Sequence, residues 1–118
     1  MLKKKYLYLF LIPLFFSSCA TSTLYNWGKY EKRTYKYFSH LSPSATDKLI
    51  SFYRSNIVHP SGTRKVVAPG MYAEYGYLLL MQGKREIGIQ MLENEVRLYP
   101  ESEIFIKRIL KSLHYEEE

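Results

Sequence analysis

Residues Pro69 to Ser102 read as two helices joined by a short turn, and they constrain the fold more than any other stretch. Apolar residues recur at three- and four-residue steps on both sides of Gly83. The first helix runs from about Gly70 to Gln82, with Tyr72, Tyr75, Gly76, Leu79 and Leu80 turned inward. Gly76 stands in mid-helix, where glycine costs about 1 kcal/mol relative to alanine. Close approach of the facing helix at Gly88 is the expected compensation. Gly83 supplies a left-handed cap, and Lys84 opens the second helix. Ile87, Met91, Leu92 and Val96 form its apolar stripe, until Pro100-Glu101-Ser102 stops it and starts another helix.

The same stretch resembles the tetratricopeptide signature W-x2-L-G-x2-Y…A-x3-F…P. Tyr72 stands in the Trp place, Tyr75 in the Leu place, Gly76 in the Gly, Leu79 in the Tyr, Gly88 in the Ala, Leu92 in the Phe and Pro100 in the Pro. Two of these seven positions are identical and the rest are substitutions of similar character. The resemblance implies a helical hairpin that binds other molecules and carries no chemistry of its own.

Upstream, Trp27, Tyr30, Thr34, Tyr37, Phe38 and Leu41 recur at helical spacing within residues 25–41, with Lys29, Lys32, Arg33 and Lys36 largely on the other side. Ser42-Pro43 ends this helix or starts the next. Ser44 and Asp47 read as a capping box. The second helix runs to about Val58, with Leu49, Phe52, Tyr53 and Ile57 as its inner stripe. His59 to Ala68 breaks the periodicity at Pro60 and Gly62, giving a long loop that is either mobile or used. After Pro100, Phe105, Ile106, Ile109, Leu110 and Leu113 face inward from a last helix that caps the stack. The expected fold is all-α, with about five helices arranged as tetratricopeptide-like hairpins over residues 26–115 and a solvated acidic tail at 116–118. About three repeats are usually needed for a stable stack, so self-association or docking on a larger assembly is expected.

The N-terminus reads as a signal rather than as fold. Lys3, Lys4 and Lys5 precede an apolar run from Tyr6 to Phe16, followed by Ser17, Ser18 and Cys19. A bilayer-spanning helix needs roughly 20 apolar residues, and this run is shorter and interrupted by Pro13. Cys19 is the single cysteine, so it has no intramolecular disulfide partner. Phe16-Ser17-Ser18-Cys19 resembles a bacterial lipobox, with Phe16 where Leu is commonest. The resemblance implies a signal peptide over 1–18, diacylglycerol on Cys19 and a short lipidated tether over 19–25. The alternative is a core cysteine behind an uncleaved anchor. Ala20, rather than Asp, after the cysteine implies outer-membrane sorting on the periplasmic side.

Trp27-Gly28-Lys29-Tyr30, Pro69-Gly70, the run Ala73 to Leu79, Glu95 and Pro100-Glu101-Ser102 together resemble a family of small uncharacterised bacterial lipoproteins. That resemblance implies a tetratricopeptide-like fold and an accessory role in the cell envelope. Its members are often encoded beside a curli-channel-type secretion lipoprotein. Gly88 departs from the usual Ala at the tight crossing.

Nothing in the chain reads as an active site. His40, His59 and His114 lack metal-ligand spacing, and no nucleophile elbow or phosphate-cradling glycine loop occurs. Glu93 and Glu95 lie two apart and so point apart on a helix, one to solvent and one to an interhelix contact. No enzyme activity, cofactor or metal is expected. Charge is more informative: residues 29–65 hold eight basic and two acidic residues, whereas 66–118 hold six basic and nine acidic. A basic half beside a lipid anchor suits an anionic membrane surface, or is an ordinary solvated face. An exported protein meets little nucleic acid, so that partner is not expected. Tyr35 and Tyr77 fall off their apolar stripes and are the candidate partner-binding residues. The chain therefore reads as an envelope adaptor for a secretion-channel or cell-wall-linked protein. The second reading is a structural lipoprotein held on anionic membrane without a specific protein partner.

Overall fold

The computed structural model describes Lys4, Tyr6 and residues 22–113. Apart from Lys4 and Tyr6, the expected signal peptide over 1–18 lies outside the described residues, as do Cys19 and the acidic tail at 116–118. Within 22–113 every regular element is helical: α1 Tyr30–His40, α2 Pro43–Val58, α3 Met71–Met81, α4 Arg85–Leu98, a 3-10 turn Pro100–Ser102, and α5 Glu103–Ser112.

α1 begins at Tyr30, five residues later than the periodicity suggests. The Asn26 side chain accepts the Gly28 amide at 2.9 Å, and Gly28 takes a positive φ of 47°. That local turn competes with helix and delays its start. α1 ends at Leu41, in the left-handed region, whose amide returns to the Tyr37 carbonyl. Ser42 then caps α2: its Oγ accepts the Ala45 amide at 3.2 Å, and Pro43 occupies the first helical position. The cap is thus Ser42 and not the expected Ser44–Asp47 box, because proline fits the first turn, where its missing N–H has no partner to lose.

α3 is the central element. It buries Met71, Ala73, Tyr75, Gly76, Leu78, Leu79 and Leu80, apolar nearly all round, as a helix packed on more than one side must be. One face meets α2 through Leu49, Ile50 and Tyr53, with Val67 and Ala68 of the preceding loop. The other meets α4 and α5 through Ala73, Leu80, Leu92 and Ile106. The α3–α4 turn is the expected one: Gly83 has a φ of 76°, its amide bonds to the Leu80 carbonyl, and the Lys84 amide reaches the Leu79 carbonyl.

The two mid-helix glycines meet as anticipated. A Cβ on Gly76 would lie 2.8 Å from the Gly88 carbonyl oxygen, and one on Gly88 would lie 2.7 Å from Leu80 Cγ. The buried line of α4 is Gly88, Leu92 and Glu95, continuing to Tyr99, rather than the stripe beginning at Ile87, which is exposed. The close glycine crossing draws the Gly88 side of α4 onto α3 and turns Ile87 out.

The segment between α2 and α3 is structured by long-range bonds. The Thr63 and Arg64 amides donate to the Thr23 and Leu24 carbonyls at 3.0 and 3.1 Å. The Arg64 guanidinium stacks over the Tyr25 ring and donates to its hydroxyl. Gly62, at a φ of 92°, lies against the backbone of Leu24 and Tyr25, where a Cβ would come within 2.7 Å. Tyr99 Oη donates to the Val67 carbonyl at 2.6 Å and pins the end of the loop to the end of α4. The long loop is used: it ties residues 23–25 to the fold.

Candidate functional site

A groove of about 490 Å³ runs between α1, α2, α3 and α5. α1 contributes Tyr30, Tyr37, Phe38 and Leu41, at steps of seven, one and three that keep them on one helical face. α2 contributes Leu49 and Tyr53; α3 contributes Ala73, Glu74, Tyr77, Leu78 and Met81. Phe105 and Ile109 of α5 close it. Phe38 and Phe105, both expected to face the core, are 73% and 59% exposed here, as are Leu41 and Met81 at 70% and 60%. Periodicity placed Phe38, Leu41 and Phe105 on apolar faces, but no further helix of the described residues covers those faces; Met81 was not on the expected stripe.

Glu74 is the one acidic residue in this apolar lining. Tyr30 Oη donates to Glu74 Oε1 at 2.7 Å, and Tyr53 Oη donates to Glu74 Oε2. The three side chains come from α1, α2 and α3 and bind the helices together at the groove. Burial and the bond to the carboxylate push the Tyr30 hydroxyl up to about 12. The same causes, burial foremost, raise Tyr53 further. Both hydroxyls therefore stay protonated and donate throughout the physiological range.

Behind the groove, Glu95 on α4 is 2% exposed and its carboxylate accepts the Gly70 amide at 2.8 Å, at the start of α3. Free amides and the helix dipole make a helix N-terminus a natural seat for a carboxylate. Burial raises the Glu95 carboxyl above its ordinary value; amides of Gly70, Ala73 and Tyr72 pull the other way. Its Oε2 has no hydrogen-bond partner among the described residues. Glu93 is exposed and Glu95 makes the interhelix contact, as their spacing predicts.

The basic residues of α1 face elsewhere. Arg33, Lys36 and His40 join Lys48 around one shallow depression, and Lys29, Arg33, Asp47 and Lys48 line another. These lie on a separate side of the α1–α2 pair. Among the described residues no three His, Cys, Asp or Glu side chains converge as metal ligands, and no helix is long and apolar enough to cross a membrane.

Of the candidate partner-binding tyrosines, Tyr77 lines the groove and Tyr35 does not. Tyr35 is exposed on α1, off the face that carries Tyr30 and Tyr37. Cys19 lies outside the described residues. Sequence reasoning missed Glu74, Phe38, Met81 and Phe105 as site residues. The only local signal for Glu74 was a carboxylate inside the otherwise apolar run from Met71 to Met81.

No curated protein and no solved structure matches the chain. One family model does, that of a domain of unknown function (DUF4810), over residues 24–109. The match spans from the segment tied to the Gly62 loop to Ile109 on α5 and includes every residue lining the groove. The chain belongs to the DUF4810 family.

Proposed function

We propose that this protein is a lipid-anchored, non-enzymatic helical adaptor of the bacterial envelope that holds another envelope protein in its apolar groove. The observation that carries this reading is the groove itself. Four helices wall it, its rims are exposed Phe38, Leu41, Met81 and Phe105, and apolar patches of that kind on small proteins are binding surfaces. Its back wall is α3, the first helix of a tetratricopeptide-like hairpin with α4. The anchor rests on the order of Lys3–Lys5, the apolar run Tyr6–Phe16 and Cys19. From Cys19 to Ser22 is three residue steps, at most about 10 Å, so an acylated Cys19 keeps the helical body at the bilayer surface. Two or three acyl chains make that attachment effectively permanent. Ala20 favours the outer membrane, facing the periplasm.

The second reading, a structural lipoprotein resting on anionic headgroups, draws on the basic side of α1 and α2. Photo-crosslinking in living cells separates the two. A photoreactive residue at Phe105 is expected to capture one envelope protein, a secretion-channel or cell-wall-linked component, and one at Lys36 is not. Crosslinks to lipid from Lys36, with none to protein from Phe105, favour the second reading. The anchor has its own test: Cys19→Ser retained in the membrane with leader attached and mass unchanged overturns it.

A further inference from the structure

Glu74 places a carboxylate in an apolar, aromatic groove that no Lys or Arg lines among the described residues. An ionised carboxylate offers about four lone-pair sites, and the Tyr30 and Tyr53 hydroxyls fill two. Among the described residues no Lys or Arg makes an ion pair with it. Arg33 and Lys36 of α1 line depressions elsewhere, and no Lys or Arg lines this groove. The Tyr30 and Tyr53 hydroxyls touch the carboxylate, and the rings of Tyr37, Phe38, Tyr77 and Phe105 line the same groove. Aromatic faces and a carboxylate attract the same kind of group, a cation carried on an apolar stem.

We propose that the groove takes one amphipathic helix of the partner protein, whose apolar stripe is interrupted by a single Lys or Arg that reaches Glu74. This rests on the adaptor reading and names the chemistry of its partner. A helix laid in a groove presents anchors at i, i+3, i+4 and i+7, which fits an apolar trough walled by parallel rows of helical side chains. Charge complementarity selects the interrupting residue. An acidic segment, such as Glu116–Glu118 of this chain, meets repulsion from Glu74, and so does a fatty-acid carboxylate. A cation there completes the hydrogen bonding of Glu74 and rejects helices whose stripe is purely apolar, since those leave its remaining lone pairs dry.

The test is a display selection on the mature full chain held in lipid nanodiscs. The library is a 16-residue helix with fixed apolar anchors and a randomised central position. Lys and Arg are expected at the centre, enriched at least tenfold over Leu and Glu. A selected Lys peptide is expected to lose about tenfold in affinity against Glu74→Gln. Met81→Lys, on the exposed rim, leaves the core untouched and is expected to weaken the Lys peptide more than its Leu counterpart. Enrichment of uncharged or acidic centres overturns the proposal, as does retention of no peptide. Equal loss of the Lys and Leu peptides against Met81→Lys does so too. So does a chain that is dimeric, with the groove closed by a second copy and Phe105 crosslinked between copies. If the basic preference fails while Phe105 still captures an envelope protein, only the cation rule falls. If capture fails as well, the adaptor reading falls with it.

Discussion

Replacing Gly76 by alanine tests whether the α3–α4 crossing is as close as it looks. On helix propensity alone the substitution stabilises by about 1 kcal/mol. The structure opposes it. The new Cβ would lie 2.8 Å from the Gly88 carbonyl oxygen and 3.1 Å from Leu92 Cγ and Cδ2. An ordinary carbon–oxygen contact is about 3.3–3.6 Å, so the helices must separate by roughly half an ångström. The atom in the way belongs to the main chain and cannot swing aside. A gap of that size forfeits about a quarter of the dispersion energy of each facing pair, and overpacking of this kind costs about 1–3 kcal/mol. Subtracting the propensity gain leaves a net loss of up to about 2 kcal/mol, at roughly 4–8 °C in Tm per kcal/mol for a domain of this size. Thermal melts followed by circular dichroism, with urea titrations as a check, read it directly. Gly88→Ala is expected to destabilise as well, against Leu80. The double variant is expected to lose less than the sum, because the second methyl enters a gap already opened. A Gly76→Ala chain that is stabilised by the full propensity gain of about 1 kcal/mol refutes the close crossing.

Other outcomes follow from the core and the groove. Leu92→Ala, at a fully buried position, is expected to cost about 2–5 kcal/mol in denaturant titrations, with a cost below about 1 kcal/mol counting against its place in the core. Tyr30→Phe removes a hydrogen bond to a charged group and is expected to cost about 1–2 kcal/mol, read by the same titration. For Glu95 the sign is fixed by its raised pKa: the folded chain binds its proton more tightly than the unfolded one, so this group favours folding at low pH, a contribution lost as pH climbs through the folded value. Glu95→Gln is therefore expected to change Tm more favourably at about pH 7 than at about pH 5, and a pH-independent difference refutes the buried carboxylate. Arg64→Ala is expected to expose residues 22–28 to faster proteolysis, measured by mass spectrometry of the first cleavage products, because Arg64 holds Tyr25.

What was legible in the sequence was local. Gly76 in mid-helix and Gly83 between two apolar stripes are anomalies of a single stretch, and each has one economical explanation. The groove was not legible because its chemistry is assembled from residues far apart: Tyr30 meets Glu74 across 44 positions and Tyr53 meets it across 21. Helical periodicity told which side of α1 and α5 is apolar. It could not tell whether a neighbour covers that side, so Phe38, Leu41 and Phe105 read as core and turned out as walls of an open trough. The loop was half legible. Pro60 and Gly62 marked a break, but the burial of Val67 and Ala68 went unread and the bonds from Thr63 to Thr23 have no local trace.

The grip of Glu95 on the start of α3 has a bearing on what the groove can hold. Gly70 and Ala73 line the trough on one side and receive the α4 carboxylate's influence from the other. The hairpin is thus fastened at both ends, by the Gly83 turn and by this clasp. On the adaptor reading, a guest helix meets a wall already held at both ends, so little conformational freedom is lost by the host on association, and selectivity lies in shape and in one carboxylate rather than in adjustment.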